Sequence, residues 1–215
     1  MKATVIGAGL AGSEAAWYLA NRGVQVSLFE SRPHFRSEAH QGDNAAELVC
    51  SNSLKSNDHS RPTGLLKEEL RSFGSLLMSV AEQTRVPAGA ALAVDRELFA
   101  KAVQMRLEQH ENIQFIRQEV TSIPSENAII ATGPLTSPAL FNALSDALGQ
   151  EGYFYDAIAP VVESDSINFD HAWRGNRWDK GESGDAYVNC PLDREAYEAF
   201  VVALRDAKKV TPREF

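Results

Sequence analysis

An α/β fold with a parallel sheet is predicted for this 215-residue chain by three observations. Residues 2–6 (Lys-Ala-Thr-Val-Ile) form a short, β-branched apolar run that ends at Gly7. A helical pattern follows over 10–22, with Leu10, Ala11, Ala15, Leu19 and Ala20 at helical spacing, and a second strand-like run over 24–29 ends at Glu30. Strand, turn, helix and strand within about 30 residues is the size of a βαβ unit.

Composition sets the frame for that unit. The chain is 44% apolar and 23% charged, which suits a globular protein with its own buried core and excludes a disordered one. No apolar run approaches the roughly 18 residues that a helix needs to cross a bilayer. Met1-Lys2 runs straight into the first strand without a signal-peptide core. The two cysteines, Cys50 and Cys190, stand in neither a CxxC nor a CxxH pattern, which points to a reducing compartment and away from zinc. The expectation is a cytoplasmic protein without a metal. Net charge is −8, and all of it falls beyond residue 72. No basic face for nucleic acid is evident.

The remaining elements are predicted in order. Residues 31–63 are polar and irregular, with Pro33, Gly42, Pro62 and three of the five histidines, His34, His40 and His59. A stretch of this length in a compact domain is usually functional or disordered. Residues 64–84 read as one helix weakened at Gly74, and 86–94 as a small, punctuated apolar segment. Asp95 caps a helix to about residue 110, with Leu98, Ala102 and Met105 on one face and Phe99 and Val103 beside it. Residues 113–123 alternate as one or two strands, and 128–131 form a short strand ending in Thr132-Gly133. Ser137 and Pro138 begin a helix carrying Leu140, Leu144 and Leu148, which Gly149 ends. Residues 186–190 read as a strand, and Tyr197, Phe200, Val201 and Leu204 place a last amphipathic helix.

The strongest chemical signal is Gly7-Ala8-Gly9-Leu10-Ala11-Gly12, between a strand and a helix, with an acidic residue 18 positions beyond the last glycine. In a Rossmann-like unit the first glycine makes the turn, the second admits a diphosphate, and the third lets helix and strand pack closely. The helix N-terminus offers unpaired amides and partial positive charge. Glu30 can accept hydrogen bonds from ribose hydroxyls, while Arg32 and Arg36 leave a 2′-phosphate possible on sequence grounds. Ala131-Thr132-Gly133 is similar to a turn that runs under the flavin in many two-dinucleotide flavoproteins, and shifts the reading to FAD.

The segment 47–56 (Glu-Leu-Val-Cys-Ser-Asn-Ser-Leu-Lys-Ser) sets Cys50 among hydroxyls, an amide and Lys55. A nearby cation favours the thiolate, so Cys50 is a candidate nucleophile, with a small buried structural residue as the alternative. Cys190, in Val-Asn-Cys-Pro, reads as structural, and the histidines are not at metal-ligand spacing.

GAGLAGSEAAWYLANRG, AELVCSNSLKS, GLLKEELR, VPAGAALAVDRELFA, AIIATGPLTS and YFYDAIAPVVESDSI occur in this order, followed by DKGE and YVNCP. Together they resemble TrmFO, the folate- and FAD-dependent tRNA (uracil-5-)-methyltransferases, the small form of the GidA family. The resemblance implies a FAD-binding fold of the glutathione-reductase type with an inserted α+β subdomain. It places the first part of the FAD domain in 1–85 and its continuation, with the Ala-Thr-Gly strand, in 86–150. Residues 151–215 would begin an inserted or substrate subdomain. FAD is implied at Gly7–Gly12 and Glu30, with NADPH as reductant and 5,10-methylenetetrahydrofolate as carbon donor. The product is 5-methyluridine in the T-loop of tRNA. Cys50 matches a family cysteine placed near the flavin, acting either on uracil or in a flavin adduct. Family members continue well past Phe215, so the chain is expected to be a truncated form. Its rivals are a flavin oxidoreductase on a small substrate and a non-catalytic FAD-binding fragment.

Overall fold

The computed structural model describes residues 1–150, 152, 162–175 and 187–209. The chain divides into two compact units, Met1–Pro160 and Val161–Phe215. The first is built on a four-stranded parallel sheet. Its strands are β1 (Lys2–Ile6), β2 (Gln25–Glu30), β6 (Ile113–Arg117) and β7 (Ala128–Ile130), in the order β6-β2-β1-β7. Ile6 lies opposite both Phe29 and Ile130, so the carboxyl ends of three strands finish level at one edge. That edge is where an open α/β sheet places its ligands.

Helix α1 (Leu10–Ala20) returns the chain from β1 to β2. Its buried stripe is Gly12, Ser13, Ala16 and Ala20, whereas the sequence pattern pointed to Leu10, Ala11, Ala15, Leu19 and Ala20. Leu10 remains 36% exposed. The reason is proximity: a Cβ on Gly12 would stand 1.8 Å from the Gly7 carbonyl oxygen. So close an approach selects small residues every fourth position over large ones.

The predicted 64–84 helix is two helices, α2 (Pro62–Ser72) and α3 (Leu76–Gln83), broken where Gly74 takes φ +75°. Ser75 caps α3 by accepting from the Met78 amide, and Glu14 of α1 adds a second cap. The Glu14 carboxylate accepts from the Ser75 hydroxyl and from the Leu76 and Leu77 amides at 3.0–3.1 Å. An anionic group suits a helix N-terminus, so this contact pins α3 against α1.

Between β2 and β6 lies a second, antiparallel sheet in the order β3-β5-β4, formed by β3 (Ser53–Ser56), β4 (Arg85–Val86) and β5 (Ala91–Val94). Strand β3 falls inside the stretch read as irregular. Ser-Leu-Lys-Ser lacks alternation and β-branching, and its pairing with β5 carries a bulge between Ser53 and Ser56.

Helix α4 (Arg96–Gln109) begins where predicted, with the Asp95 carboxylate accepting from the Glu97 and Leu98 amides. Its buried face is Phe99, Ala100, Val103, Gln104 and Leu107; Leu98 and Met105 are half-exposed. The sequence pattern chose the neighbouring stripe because apolar residues occur on both. Residues 113–123 hold one strand, β6, and α5 (Pro138–Leu148) ends on Gly149 at φ +63°. One buried cluster unites Val5, Ala16, Leu28, Val80, Val94 and Phe99, so both sheets and three helices share a core.

The second unit contains β8 (Trp173–Gly175) and β9 (Tyr187–Asn189), paired antiparallel, and α6 (Arg194–Asp206), capped by Asp193. Tyr197, Phe200, Val201 and Leu204 lie on α6 and are 44–57% exposed. Residue 186 of the predicted strand, the DKGE segment and residues 153–161 of the YFYDAIAPVVESDSI segment lie outside the described residues. No helix among the described residues is long and apolar enough to cross a membrane.

Candidate functional site

At the carboxyl edge of the parallel sheet is a cleft of about 270 Å³. Gly7, Gly9, Leu10 and Ala11 line it from the first turn, Glu30 and Arg32 from the end of β2, and Ala131, Thr132 and Gly133 from the end of β7. Three segments far apart in sequence therefore meet at one site.

The turn is built for close backbone approach. Gly7 has φ +93°, and a Cβ there would stand 2.7 Å from the Ala131 carbonyl oxygen, so the first turn and the Ala-Thr-Gly turn touch. Gly9 differs. Beyond its chain neighbours, a Cβ on Gly9 would meet no atom of the described residues within 4 Å, so their packing does not demand glycine there. The space in front of Gly9 suits a group that comes from outside the chain. Gly9 also caps α1 without a side-chain hydrogen bond, so no side chain of its own competes for the amides of the first helical turn.

Ala8 and Gly12 stand behind the cleft wall. The Ala8 amide donates to Glu30 Oε2 at 3.0 Å, and its carbonyl accepts from the Ala46 amide and the Ser13 hydroxyl. Ala46 is fully buried at φ +54°, a left-handed conformation that costs about 1 kcal/mol or more for a residue with a side chain. The Gly-rich turn is thus held from beneath by a strained, buried segment.

Glu30 is 5% exposed and Arg32 3%. Glu30 Oε1 accepts from the Arg32 amide at 3.1 Å and from Arg32 Nε at 2.8 Å. Arg32 Nη1 reaches Glu47 Oε2 at 2.7 Å, and Glu47 Oε1 accepts the Gln41 and Gly42 amides. Burial by itself would raise the Glu30 pKa. The hydrogen bond and charge of Arg32, with the Arg32 and Ala8 amides, outweigh burial and hold it below its ordinary value. Glu30 is a carboxylate at neutral pH. Arg36, half-exposed, pairs with Asp43. Both arginines near the end of β2 are therefore matched to carboxylates.

The sequence does not single out Glu47 or Arg117, and it offers His40 only as one of three loop histidines. Glu47 and His40 line the cleft, and Arg117 donates to the Arg32 and Asp43 carbonyls, closing the loop over β2. Glu47 stands only three residues before Cys50, yet its role depends on a partner 15 residues away that no local pattern reveals. His40 Nδ1 lies 2.7 Å from the Ser37 hydroxyl. Burial, aided by the Arg32 charge, pushes its pKa below the usual imidazole value, which leaves it neutral at pH 7.

Cys50 is exposed and follows Val49, which lines the cleft. Lys55, predicted beside it, takes φ +67° and faces a different cleft. Cys190, expected in an apolar strand, follows β9 and is exposed.

Comparison with known proteins gives the following. The family model for glucose inhibited division protein A, GIDA, matches residues 2–215. The chain is 52% identical over 218 residues to "Methylenetetrahydrofolate--tRNA-(uracil-5-)-methyltransferase TrmFO" of Magnetococcus marinus, covering 100% of this chain and 49% of that one. To the protein of the same name from Geobacter sulfurreducens it is 54% identical over 213 residues, covering 99% and 49%. The chain spans about half the length of the curated relatives it matches. Among solved structures, GidA of Aquifex aeolicus is 20% identical with a TM-score of 0.47 over 59% of this chain and 21% of that one. The GidA-related protein from Thermus thermophilus is 16% identical with a TM-score of 0.39, covering 67% of each chain.

Proposed function

The chain belongs to the glucose inhibited division protein A family, and on that premise we propose that it is the FAD-binding half of a methylenetetrahydrofolate-dependent tRNA (uracil-5-)-methyltransferase. Relatives more than 50% identical over the whole chain bear that name. The observation that carries the reading is Gly9, where glycine answers to no contact among the described residues and leaves room for a diphosphate beside the α1 N-terminus.

The residues fit FAD in their chemistry. Gly9, Leu10 and Ala11 present backbone amides to the diphosphate. Glu30 keeps acceptor capacity, because a carboxylate has about four lone-pair sites and three are used here. That capacity suits ribose hydroxyls. Arg32 and Arg36 are each matched by carboxylates, so neither is left free for a 2′-phosphate. This favours FAD at the cleft over NADPH, which then binds elsewhere as reductant. Ala131, Thr132 and Gly133 close the far side.

Bound flavin supplies the hydride chemistry that side chains lack. Cys50, exposed beside the cleft rim, is the residue of this chain suited to covalent work. Uracil C5 is a poor nucleophile until a group adds at C6. A thiolate forming an S–C6 bond pushes electron density to C5, and its later departure restores the ring. The uridine in the T-loop of tRNA is the proposed acceptor, and methylenetetrahydrofolate the carbon donor.

The test is a chimera in which these 215 residues replace the matching half of the Geobacter sulfurreducens relative. With unmodified tRNA it should form 5-methyluridine only when methylenetetrahydrofolate and NADPH are both present. Methyl transfer from S-adenosylmethionine, or NADPH oxidation indifferent to folate and tRNA, would overturn the proposal.

A further inference from the structure

A second cleft, of about 300 Å³, opens on the other side of Leu10. Its walls include Leu10, Leu54, Leu70, Leu77 and Phe99, and its polar lining includes Lys55 and Lys67. Among the described residues it shares only Leu10 with the nucleotide cleft. Its volume is at the small end of ligand pockets, and an apolar wall with a few polar groups is their usual character.

Lys67 is unusual for a lysine. It projects from α2 and is 5% exposed. Its Nζ donates to the Ser56 carbonyl at 2.9 Å and the Thr63 carbonyl at 3.0 Å, both neutral acceptors. An ammonium has three donors, so one remains. Among the described residues no carboxylate forms a salt bridge with Lys67 or Lys55. A buried charge without a counter-ion is costly. Burial, with the nearby Arg71 and Lys55 charges, pushes the Lys67 pKa below its ordinary value.

Lys55 stands on the same cleft in a left-handed backbone conformation, φ +67°, beside the bulge of β3. Ser53 Oγ accepts its amide at 3.1 Å and holds it there. Non-glycine residues kept in this region cluster at ligand sites.

We propose that this cleft binds a small organic carboxylate with an apolar body, whose charged end is held by Lys67 and Lys55. The carboxylate takes the third Lys67 donor and neutralises a buried charge that no carboxylate among the described residues matches. The leucines and Phe99 cover the body. A monoanion fits better than a phosphate dianion, because the cleft has too few donors to replace a dianion's hydration.

The test uses the 215-residue chain with 2-naphthoate and its neutral isostere 2-naphthamide. Naphthoate should bind at least about tenfold tighter, the scale of one charged hydrogen bond. Lys67→Met should abolish that preference, and bound naphthoate should slow acetylation of Lys55 but not of Lys101, an exposed lysine outside the cleft. Equal affinities, a preference retained in Lys67→Met, no protection of Lys55, or displacement of naphthoate by ADP would each overturn the proposal. If Lys67→Met does not fold, Lys55→Gln decides: the preference must fall several-fold, and an unchanged preference refutes the site.

Discussion

The backbone amide of Ala8 donates to the Glu30 carboxylate over 3.0 Å, so the Gly-rich turn and the acidic end of β2 are bonded to each other before any nucleotide arrives. Glu30 thereby has two jobs. It fixes the turn from behind, and it keeps an acceptor for the cleft. Arg32 offsets the electrostatic cost of burial, since it supplies two donors to the same carboxylate.

That arrangement predicts an acid-sensitive fold. The folded Glu30 pKa lies below its ordinary 4.5. A carboxylate of this kind stabilises the folded state above its ordinary pKa, and the stabilisation is lost as pH falls from there through the folded value. The melting temperature of the native chain should therefore drop more steeply below pH 4.5 than that of Glu30→Gln. Parallel curves in calorimetry across that window would show that Glu30 carries no such linkage.

The three glycines of the turn should fail in different ways. A Cβ on Gly12 would overlap the Gly7 carbonyl at 1.8 Å, so Gly12→Ala should cost about 3 kcal/mol or more of stability. A Cβ on Gly9 meets only open space among the described residues. Gly9→Val should unfold within about 1 kcal/mol of the native chain while losing measurable flavin binding. Denaturant melts paired with flavin titration separate the two. A Gly9→Val protein that retains flavin would remove the diphosphate from this turn.

Glu14→Ala should cost about 1–3 kcal/mol, because the Ser75 hydroxyl and the Leu76 and Leu77 amides all lose their acceptor. Amide hydrogen exchange should rise first in α3. Uniform loosening of the chain would mean that Glu14 is not a local cap.

Cys50→Ala should leave flavin affinity unchanged and stop 5-methyluridine formation in the chimera. The thiol is exposed beside the cleft and contributes nothing to the buried cluster. Normal product yield would remove Cys50 from the chemistry.

What could be read in the sequence was what local patterns carry. β1, α1 and β2 follow from a strand, a Gly-rich turn and an acidic strand end within one short window. Asp95 and Gly149 announced their helix ends because capping is chemistry within a turn. Buried faces were less legible. On α1 the Gly12, Ala16 and Ala20 stripe is chosen by the approach of the sheet, which no helical period encodes. On α4 apolar residues on two stripes left the choice to packing. The Glu30–Arg32–Glu47 chain was hidden because its last link depends on how the 32–47 loop folds back. Arg32 and Arg36 looked like a possible 2′-phosphate site for the same reason. Their carboxylate partners appear only in three dimensions.

The most direct measurement is an amide-resolved nuclear magnetic resonance titration of the chain with FAD, ADP and riboflavin. FAD and ADP should shift the amides of Gly9, Leu10 and Ala11 and compete with each other, while riboflavin, which lacks the pyrophosphate, should leave those signals in place. Riboflavin moving them as FAD does, or FAD leaving them unmoved at saturation, would mean that the Gly-rich turn does not hold a diphosphate.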